Sequence, residues 1–329
     1  MTPKKMGKII MADIKQRSKK GLELAKQILQ AEKMEYPKLQ EALNHYLANW
    51  SEFTHPGLFS IAYEAIGGNP DDALSTQAAI AMLTAAFDVH DDIIDKSEVK
   101  HQVPTVYGKF GAEITLLLGN AFLIEGLKIF AESTMILPKE KQKGTLETFK
   151  KLLFEVGNAH ALEIGLKESK NITPSDYLKI TELKAASIEA DMYIGALFGG
   201  GKDADVAVLA RVGRILGILA TLRDDLIDVF DTEELRQRIS AQDLPLPLIF
   251  AMQDQKTKEK VMAILSKPNI TKSKVATLVD LTIESEPVVQ MKKRMQLLIG
   301  EGLSLTNKLP IGKLQNKLQA LLAFMLEDL

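Results

Sequence analysis

The pattern Asp-Asp-x-x-Asp occurs twice in this chain, and no other feature constrains the fold so tightly. The first copy is Asp91-Asp92-Ile93-Ile94-Asp95; the second, more than a hundred residues later, is Asp224-Asp225-Leu226-Ile227-Asp228. Positions i, i+1 and i+4 share one side of an α-helix, so each trio of carboxylates projects together. Asp88 lies one turn before the first trio and Asp231 one turn after the second.

Clustered aspartates are ordinarily a solvated face. Three observations argue otherwise here. Each trio encloses an apolar pair, Ile93-Ile94 or Leu226-Ile227, so the opposite side of each helix is buried. The first trio falls near a predicted helix C-terminus, where the helix dipole disfavours carboxylates. The spacing is also repeated. Like charges about 6 Å apart repel by roughly 3 kcal/mol at an effective dielectric of 20, so something must offset the repulsion. Magnesium suits: it prefers oxygen ligands, keeps several waters, and is usually held by one or two carboxylates together with substrate phosphates. Two such clusters make poor sense as a closed cage and good sense as two walls of a site whose missing ligand is a diphosphate. A di-iron bundle is disfavoured because the Glu-x-x-His pairs it needs are absent.

Composition narrows the class further. The 329 residues are 46% hydrophobic and 26% charged with no abrupt shift, which predicts one domain spanning 1–329. A net charge of -2 gives no field for gathering nucleic acid. The absence of cysteine excludes disulfides, thiolate metal sites and cysteine nucleophiles, and suits a cytoplasmic protein. The N-terminal lysines precede no apolar signal segment, and the most apolar stretch, Ile114 to Phe130, is interrupted by Glu125 and Lys128, so no transmembrane segment is expected.

Helical periodicity runs almost throughout. It predicts helices over Ile10 to Leu29, Leu39 to Trp50 and Leu58 to Ile66, with turns at Thr54-His55-Pro56-Gly57 and Gly67-Gly68-Asn69-Pro70. Asp71 or Asp72 then caps a long helix that carries Phe87 into the first trio. Further helices are predicted over Glu113 to Ser133, Pro138 to Lys167, and Pro174 to Gly199, the last carrying Lys184. Asp203 caps the helix that delivers the second trio, with Leu209, Val212, Leu216, Leu219 and Leu222 inward. The prolines of Leu244 to Leu248 break the pattern before helices over Lys256 to Leu265, Lys272 to Ile283, Val288 to Leu303 and Lys313 to Leu326. No strand alternation survives counting, so the fold class is all-α.

Asp91 to Asp95, followed by Pro104-Thr105-Val106, Lys109-Phe110-Gly111 and Gly119-Asn120, resembles the first aspartate-rich region of the trans-isoprenyl diphosphate synthase superfamily. Leu183-Lys184-Ala185-Ala186 looks like its Lys-Thr-Ala segment, and Leu216-Gly217 with Asp224 to Asp228 like its second aspartate-rich region. The similarity covers about Ala73 to Ala251. It implies an isoprenoid synthase helical bundle around a central cavity, a homodimer, and three magnesium ions that bind an allylic prenyl diphosphate. Carried over, Asp91, Asp92 and Asp95 would hold two ions, Asp224, Asp225 and Asp228 the third, and Lys184 would contact the diphosphate.

Chain-elongating members of that superfamily also bind isopentenyl diphosphate, and its expected cations are largely replaced. Where Gly-Gly-Lys-Arg-x-Arg-Pro is expected, Glu52 to Ser60 offers only His55-Pro56-Gly57; Lys100-His101 stands for an Arg-Arg pair; Glu233 to Arg238 is a shorter loop. The balance leans towards a terpene cyclase or synthase with one diphosphate substrate. A chain-elongating (E)-prenyl diphosphate synthase is the alternative, with Lys100, Arg223, Arg236 and Arg238 as substitute donors. A non-catalytic regulatory subunit is a third reading, weakened because all six aspartates are intact. Single residues divide in the same way. Phe87, one turn below Asp91, is a cavity floor or core packing; Arg223 is a diphosphate contact or a structural pair with Asp224 or a neighbouring helix; His90 is a satisfied polar residue before it is a ligand.

Overall fold

The computed structural model describes residues 3–100, 102–168, 173–240, 244–267, 270–309 and 312–327, and nearly all of them are helical. His101 lies outside them. In chain order come α1 (Pro3–Ala31), α2 (Pro37–Asn49), α3 (Thr54–Ala65), α4 (Leu74–Ile94), α5 (Val106–Phe110), α6 (Ala112–Ser133), α7 (Lys139–Glu168) and α8 (Pro174–Lys184). Then follow α9 (Ala186–Phe198), α10 (Asp203–Phe230), α11 (Thr232–Ser240), α12 (Leu246–Ala251), α13 (Gln255–Leu265), α14 (Lys272–Ile283), α15 (Glu286–Thr306) and α16 (Lys313–Phe324). A two-stranded antiparallel hairpin, β1 (Val99–Lys100) with β2 (Val103–Pro104), sits between α4 and α5.

The chain divides into two compact units, Ile9–Phe149 with Asp191–Ala207, and Met1–Lys8 with Lys150–Ala190 and Val208–Leu329. In the first unit α4 is buried on most sides, with Ala78, Ala79, Met82, Ala85, Ala86 and Val89 inside, as a helix apolar all round must be. Helix α6 lies tightly against it. A Cβ on Gly119 would stand 2.5 Å from His90 Nε2 and one on Gly126 2.9 Å from Leu83 Cγ, so glycine is what permits the approach. Helix α4 ends where Lys96 turns left-handed at φ 54 and the Ser97 amide donates to the Asp92 carbonyl at 2.9 Å, a Schellman-type stop. The hairpin follows directly, its turn accommodated by Gln102 at φ 65.

In the second unit α10 buries Leu209, Val212, Leu216, Leu219 and Leu222, the predicted stripe; each such leucine contributes about 1.5–3 kcal/mol. Leu235, Leu248, Val261, Val275 and Leu278 form a further core under α11 to α14.

Several boundaries differ from expectation for local reasons. Thr54 to Gly57, read as a turn, is the first turn of α3: Pro56 costs nothing where amides lack intrahelical partners, and the Glu52 carboxylate accepts from the Thr54 and His55 amides. Asn69, not Asp71 or Asp72, caps the 3-10 turn ahead of α4, accepting from the Asp71 amide at 3.3 Å. The single helix expected from Pro174 to Gly199 breaks at Ala185, where Gly217 of α10 comes so close that a Cβ there would lie 2.7 Å from the Ala185 Cα. The prolines of Leu244 to Leu248 do not end the structure but open α12, with Pro247 in its first turn.

Candidate active site

Both aspartate trios occupy the last turns of long buried helices, α4 and α10, where unsatisfied carbonyls already make the potential negative. The first trio is graded by depth. Asp92 is 4% exposed, Asp91 half-buried and Asp95 exposed. Burial drives the Asp92 carboxyl up to about 6; Lys100 opposes this, and Asp88 and Asp91 add to it. Lys100 reaches Asp88 Oδ1 at 2.8 Å and Asp92 Oδ1 at 2.7 Å, and its ammonium is held well above the usual lysine range by those carboxylates against the cost of burial.

The second trio is graded in the same sense. Asp225 is 4% exposed and its carboxyl is pushed up to about 6 by burial, opposed by Arg238 and Lys184 and aided by Asp228. Arg238 of α11 donates to Asp225 Oδ1 at 3.1 Å and Asp228 Oδ2 at 2.9 Å, and to the Tyr177 hydroxyl at 3.3 Å; that hydroxyl donates to Asp225 Oδ1 at 3.4 Å. Asp224 also rises to about 6, through desolvation and Asp228 with Arg223 opposing, but its side chain is exposed and solvent screening shrinks the energy involved.

These carboxylates fit a divalent cation. Asp225 Oδ2 is buried without a hydrogen-bond partner among the described residues, a costly state for an anionic oxygen unless a cation serves it. Three carboxylates held near pH 6 are likewise under-neutralised by the side chains around them. No group of three or more His, Asp or Glu converges as a metal cage among the described residues.

The other expected site residues are placed as follows. Lys184 ends α8, pairs with Glu163 at 2.6 Å, and lies within the electrostatic reach of Asp225. Phe87 is half-buried on α4, one turn before Asp91. Arg223 donates to the Phe324 and Glu327 carbonyls at 3.0 and 2.9 Å and stacks 4.5 Å from the Phe324 ring, so it ties α10 to the C-terminal segment. His90 differs from its expected satisfied state. Its Nε2 is buried against Gly119 with no hydrogen-bond partner among the described residues.

Sequence reasoning missed three features. Tyr46 of α2, Trp50 just after it and Phe122 of α6 form an aromatic cluster, with Tyr46 5.0 Å and Trp50 6.4 Å from the Phe122 ring. The Tyr46 hydroxyl is raised well above its ordinary value by burial, with Asp88, Glu52 and Asp92 adding to the rise. Tyr177 was the second omission; only a three-dimensional contact brings it to Asp225. Third, His55 Nδ1 meets Asp191 Oδ2 at 2.6 Å. Burial pulls the imidazole down, but Asp191 and then Glu52 outweigh it and hold the ring at about 9, while burial raises Asp191. The segment in which cations were expected therefore carries Glu52 and a histidine paired with Asp191 of α9.

The family model for polyprenyl synthetase matches residues 36–282, three quarters of the chain and both aspartate trios. The chain belongs to this family. It is thus a magnesium-dependent enzyme of isoprenoid diphosphate chemistry with the all-α isoprenoid synthase fold. It is similar to the short chain isoprenyl diphosphate synthase of Methanothermobacter thermautotrophicus, 27% identical over 235 residues, covering 69% of this chain and 71% of that protein. It is also similar to the geranylgeranyl diphosphate synthase of Sulfolobus acidocaldarius, 27% identical over 199 residues and 60% of each. Among solved structures, geranylgeranyl pyrophosphate synthetase from Pyrococcus horikoshii superposes with a TM-score of 0.84 at 24% identity, over 97% of this chain and 98% of that one. The lean towards a one-substrate cyclase is therefore not favoured by these relatives, which carry the names of prenyl diphosphate synthases.

Proposed function

We propose that this chain is a chain-elongating (E)-prenyl diphosphate synthase: it ionises an allylic prenyl diphosphate and joins the resulting cation to isopentenyl diphosphate. The observation that carries the reading is the pair of intact aspartate trios at the ends of α4 and α10, each with one deeply buried carboxylate, within a family match that spans both. Magnesium, three ions by family resemblance, would be held by Asp91, Asp92 and Asp95 and by Asp224, Asp225 and Asp228, and supplies charge neutralisation of the departing diphosphate. The chain's own residues do the rest. Lys184 and Lys100 offer charge-assisted donors to phosphate oxygens. Phe87 limits the length of chain that fits below the first trio. The whole of 1–329 acts as one isoprenoid synthase domain in the cytoplasm.

A second reading, a terpene synthase with one diphosphate substrate, is favoured by one observation. The segment where a second diphosphate would need cations holds Glu52 and His55, and His55 is paired with Asp191 of α9. Incubation with magnesium and labelled C10, C15 and C20 allylic diphosphates, each with and without isopentenyl diphosphate, separates the two when extracted before phosphatase treatment. A longer diphosphate made only with isopentenyl diphosphate is expected. Hydrocarbon or alcohol formed without it overturns elongation in favour of the second reading.

We further propose a homodimer through α6. By length and composition Ala112–Ile136 is apolar enough to cross a membrane, yet one face, with Leu118, Phe122 and Phe130, is core. The opposite side leaves Leu117 53% and Ile124 67% exposed, a patch that a second copy would cover. Sedimentation should give a dimer that Ile124→Glu splits; a monomeric wild type refutes it.

A further inference from the structure

Among the described residues Lys100 reaches the first aspartate trio through Asp92, and Arg238 reaches the second through Asp225 and Asp228. Lys100 stands on β1, whose register pairs Val99 with Pro104 and Lys100 with Val103. The Thr105 hydroxyl locks the hairpin from behind by donating to the Ser97 carbonyl at 2.6 Å. Side chains alternate along a strand, so one of Val99 and Lys100 must point inward. Hydrophobic burial alone would choose the valine. Instead Val99 is 59% exposed while the Lys100 ammonium turns onto Asp88 and Asp92. A slip of one residue would reverse both, so the observed register is the one that delivers the ammonium to the first trio. Arg238 is held as firmly: its side chain is 13% exposed, one nitrogen bridges Asp225 and Asp228, and another reaches Tyr177.

Lys100 occupies Asp92 Oδ1 at 2.7 Å, and Arg238 occupies Asp225 Oδ1 and Asp228 Oδ2 at 3.1 and 2.9 Å. A magnesium ion drawing on the same oxygens sits at about 2.0–2.1 Å and brings its own tightly held waters. The two kinds of cation compete for the same space.

We propose that Lys100 and Arg238 are exchangeable counter-ions: each holds its trio together while no divalent ion is bound, and each is displaced when magnesium loads. The two side chains thereby set the magnesium concentration at which the enzyme becomes competent. Once displaced, the ammonium and the guanidinium are uncommitted donors for the diphosphate that accompanies the metal. This inference rests on the metal assignment proposed above.

The test uses the full chain and manganese as a paramagnetic probe, alone and with inorganic pyrophosphate. Loss of the free-ion signal is titrated for wild type, Lys100→Met, Arg238→Met and the charge-keeping Lys100→Arg. Lys100→Met should bind manganese about tenfold more tightly, equivalent to about 1.4 kcal/mol of competition removed, Arg238→Met should move in the same direction, and Lys100→Arg should stay near wild type. A lost positive charge could tighten binding without any displacement, so a second readout is needed. Reductive methylation of Lys100 in the wild type, followed by mass spectrometry, should speed up severalfold at saturating manganese. Unchanged affinity in both methionine variants, or an unchanged methylation rate with metal bound, overturns the exchange while leaving the metal assignment standing. No manganese binding by wild type even with pyrophosphate sinks both. The wild-type labelling decides the matter should a variant fail to fold.

Discussion

Replacing Asp225 with asparagine should stabilise the protein in metal-free buffer while abolishing its chemistry. The Asp225 carboxyl sits at about 6 against an ordinary 3.8, mainly because it is buried. At about 1.4 kcal/mol per unit, its ionised form opposes folding by about 3 kcal/mol near neutral pH. Asparagine removes that cost but also weakens the hold on Arg238, which keeps Asp228 and the Tyr177 hydroxyl. The net gain is then roughly 1–3 kcal/mol, or roughly 2–6 °C in Tm for a chain of this size. The sign follows from linkage. A carboxyl raised in the folded state is penalised in full above its folded value, and the penalty fades as pH falls through about 6 towards 3.8. The advantage of Asp225→Asn over wild type should therefore be largest at pH 7.5 and shrink to about half by pH 5. Thermal and urea denaturation with chelator present measure both. With magnesium and pyrophosphate added the order should invert, because the wild type gains about 2.7 kcal/mol at a hundredfold excess over Kd and the variant gains little. A variant that is less stable than wild type in chelator, or an advantage that grows towards acid pH, refutes the reasoning.

The His55–Asp191 pair gives a second pH signature of the same sense in a higher pH window. The imidazole is held at about 9 against 6.5, so its stabilisation is complete below pH 6.5 and is lost as pH rises through 9. That contribution is at most about 3 kcal/mol, reduced because Asp191 is itself pushed up by burial. Urea midpoints should fall between pH 6.5 and 9.5 for wild type and stay flat for His55→Gln; parallel curves contradict the pairing. Phe87→Ala should lengthen the prenyl product by at least one isoprene unit while costing roughly 1–3 kcal/mol, less than a fully buried phenylalanine. Chromatography of the dephosphorylated products reads the chain length, and an unchanged product removes Phe87 from the floor.

The helices and the two trios were legible because their signals are local. The stripe from Leu209 to Leu222 follows the 3.6-residue period, and the spacing of Asp91, Asp92 and Asp95 by itself defines a shared helix side. Proline and capping chemistry were misread where context decided the outcome. Pro56 and Pro247 entered first helical turns, and Asn69 rather than Asp71 took the cap. The break at Ala185 was invisible because it answers to Gly217 on another helix. Tyr177 and Asp191 escaped for the same reason: each meets its partner only after the chain has folded, 48 residues away for Tyr177 and 136 for Asp191. Arg223 was ambiguous in sequence since a guanidinium beside Asp224 serves a ligand or a carbonyl equally well; the C-terminal carbonyls took it. The hairpin was too short for alternation to register, yet it carries Lys100 to the first trio.

The central claim is that both trios are needed for magnesium-dependent ionisation of an allylic diphosphate by this chain. Release of inorganic pyrophosphate from a C10, C15 or C20 allylic diphosphate, in the presence of isopentenyl diphosphate and followed against magnesium concentration, tests it directly in wild type, Asp91→Ala and Asp225→Ala. Wild type should release pyrophosphate only with magnesium, and each variant should stay folded by circular dichroism while losing about a thousandfold or more in rate, about 4 kcal/mol of barrier. Release by wild type that is indifferent to magnesium, or release by either variant at the wild-type rate, would contradict the claim.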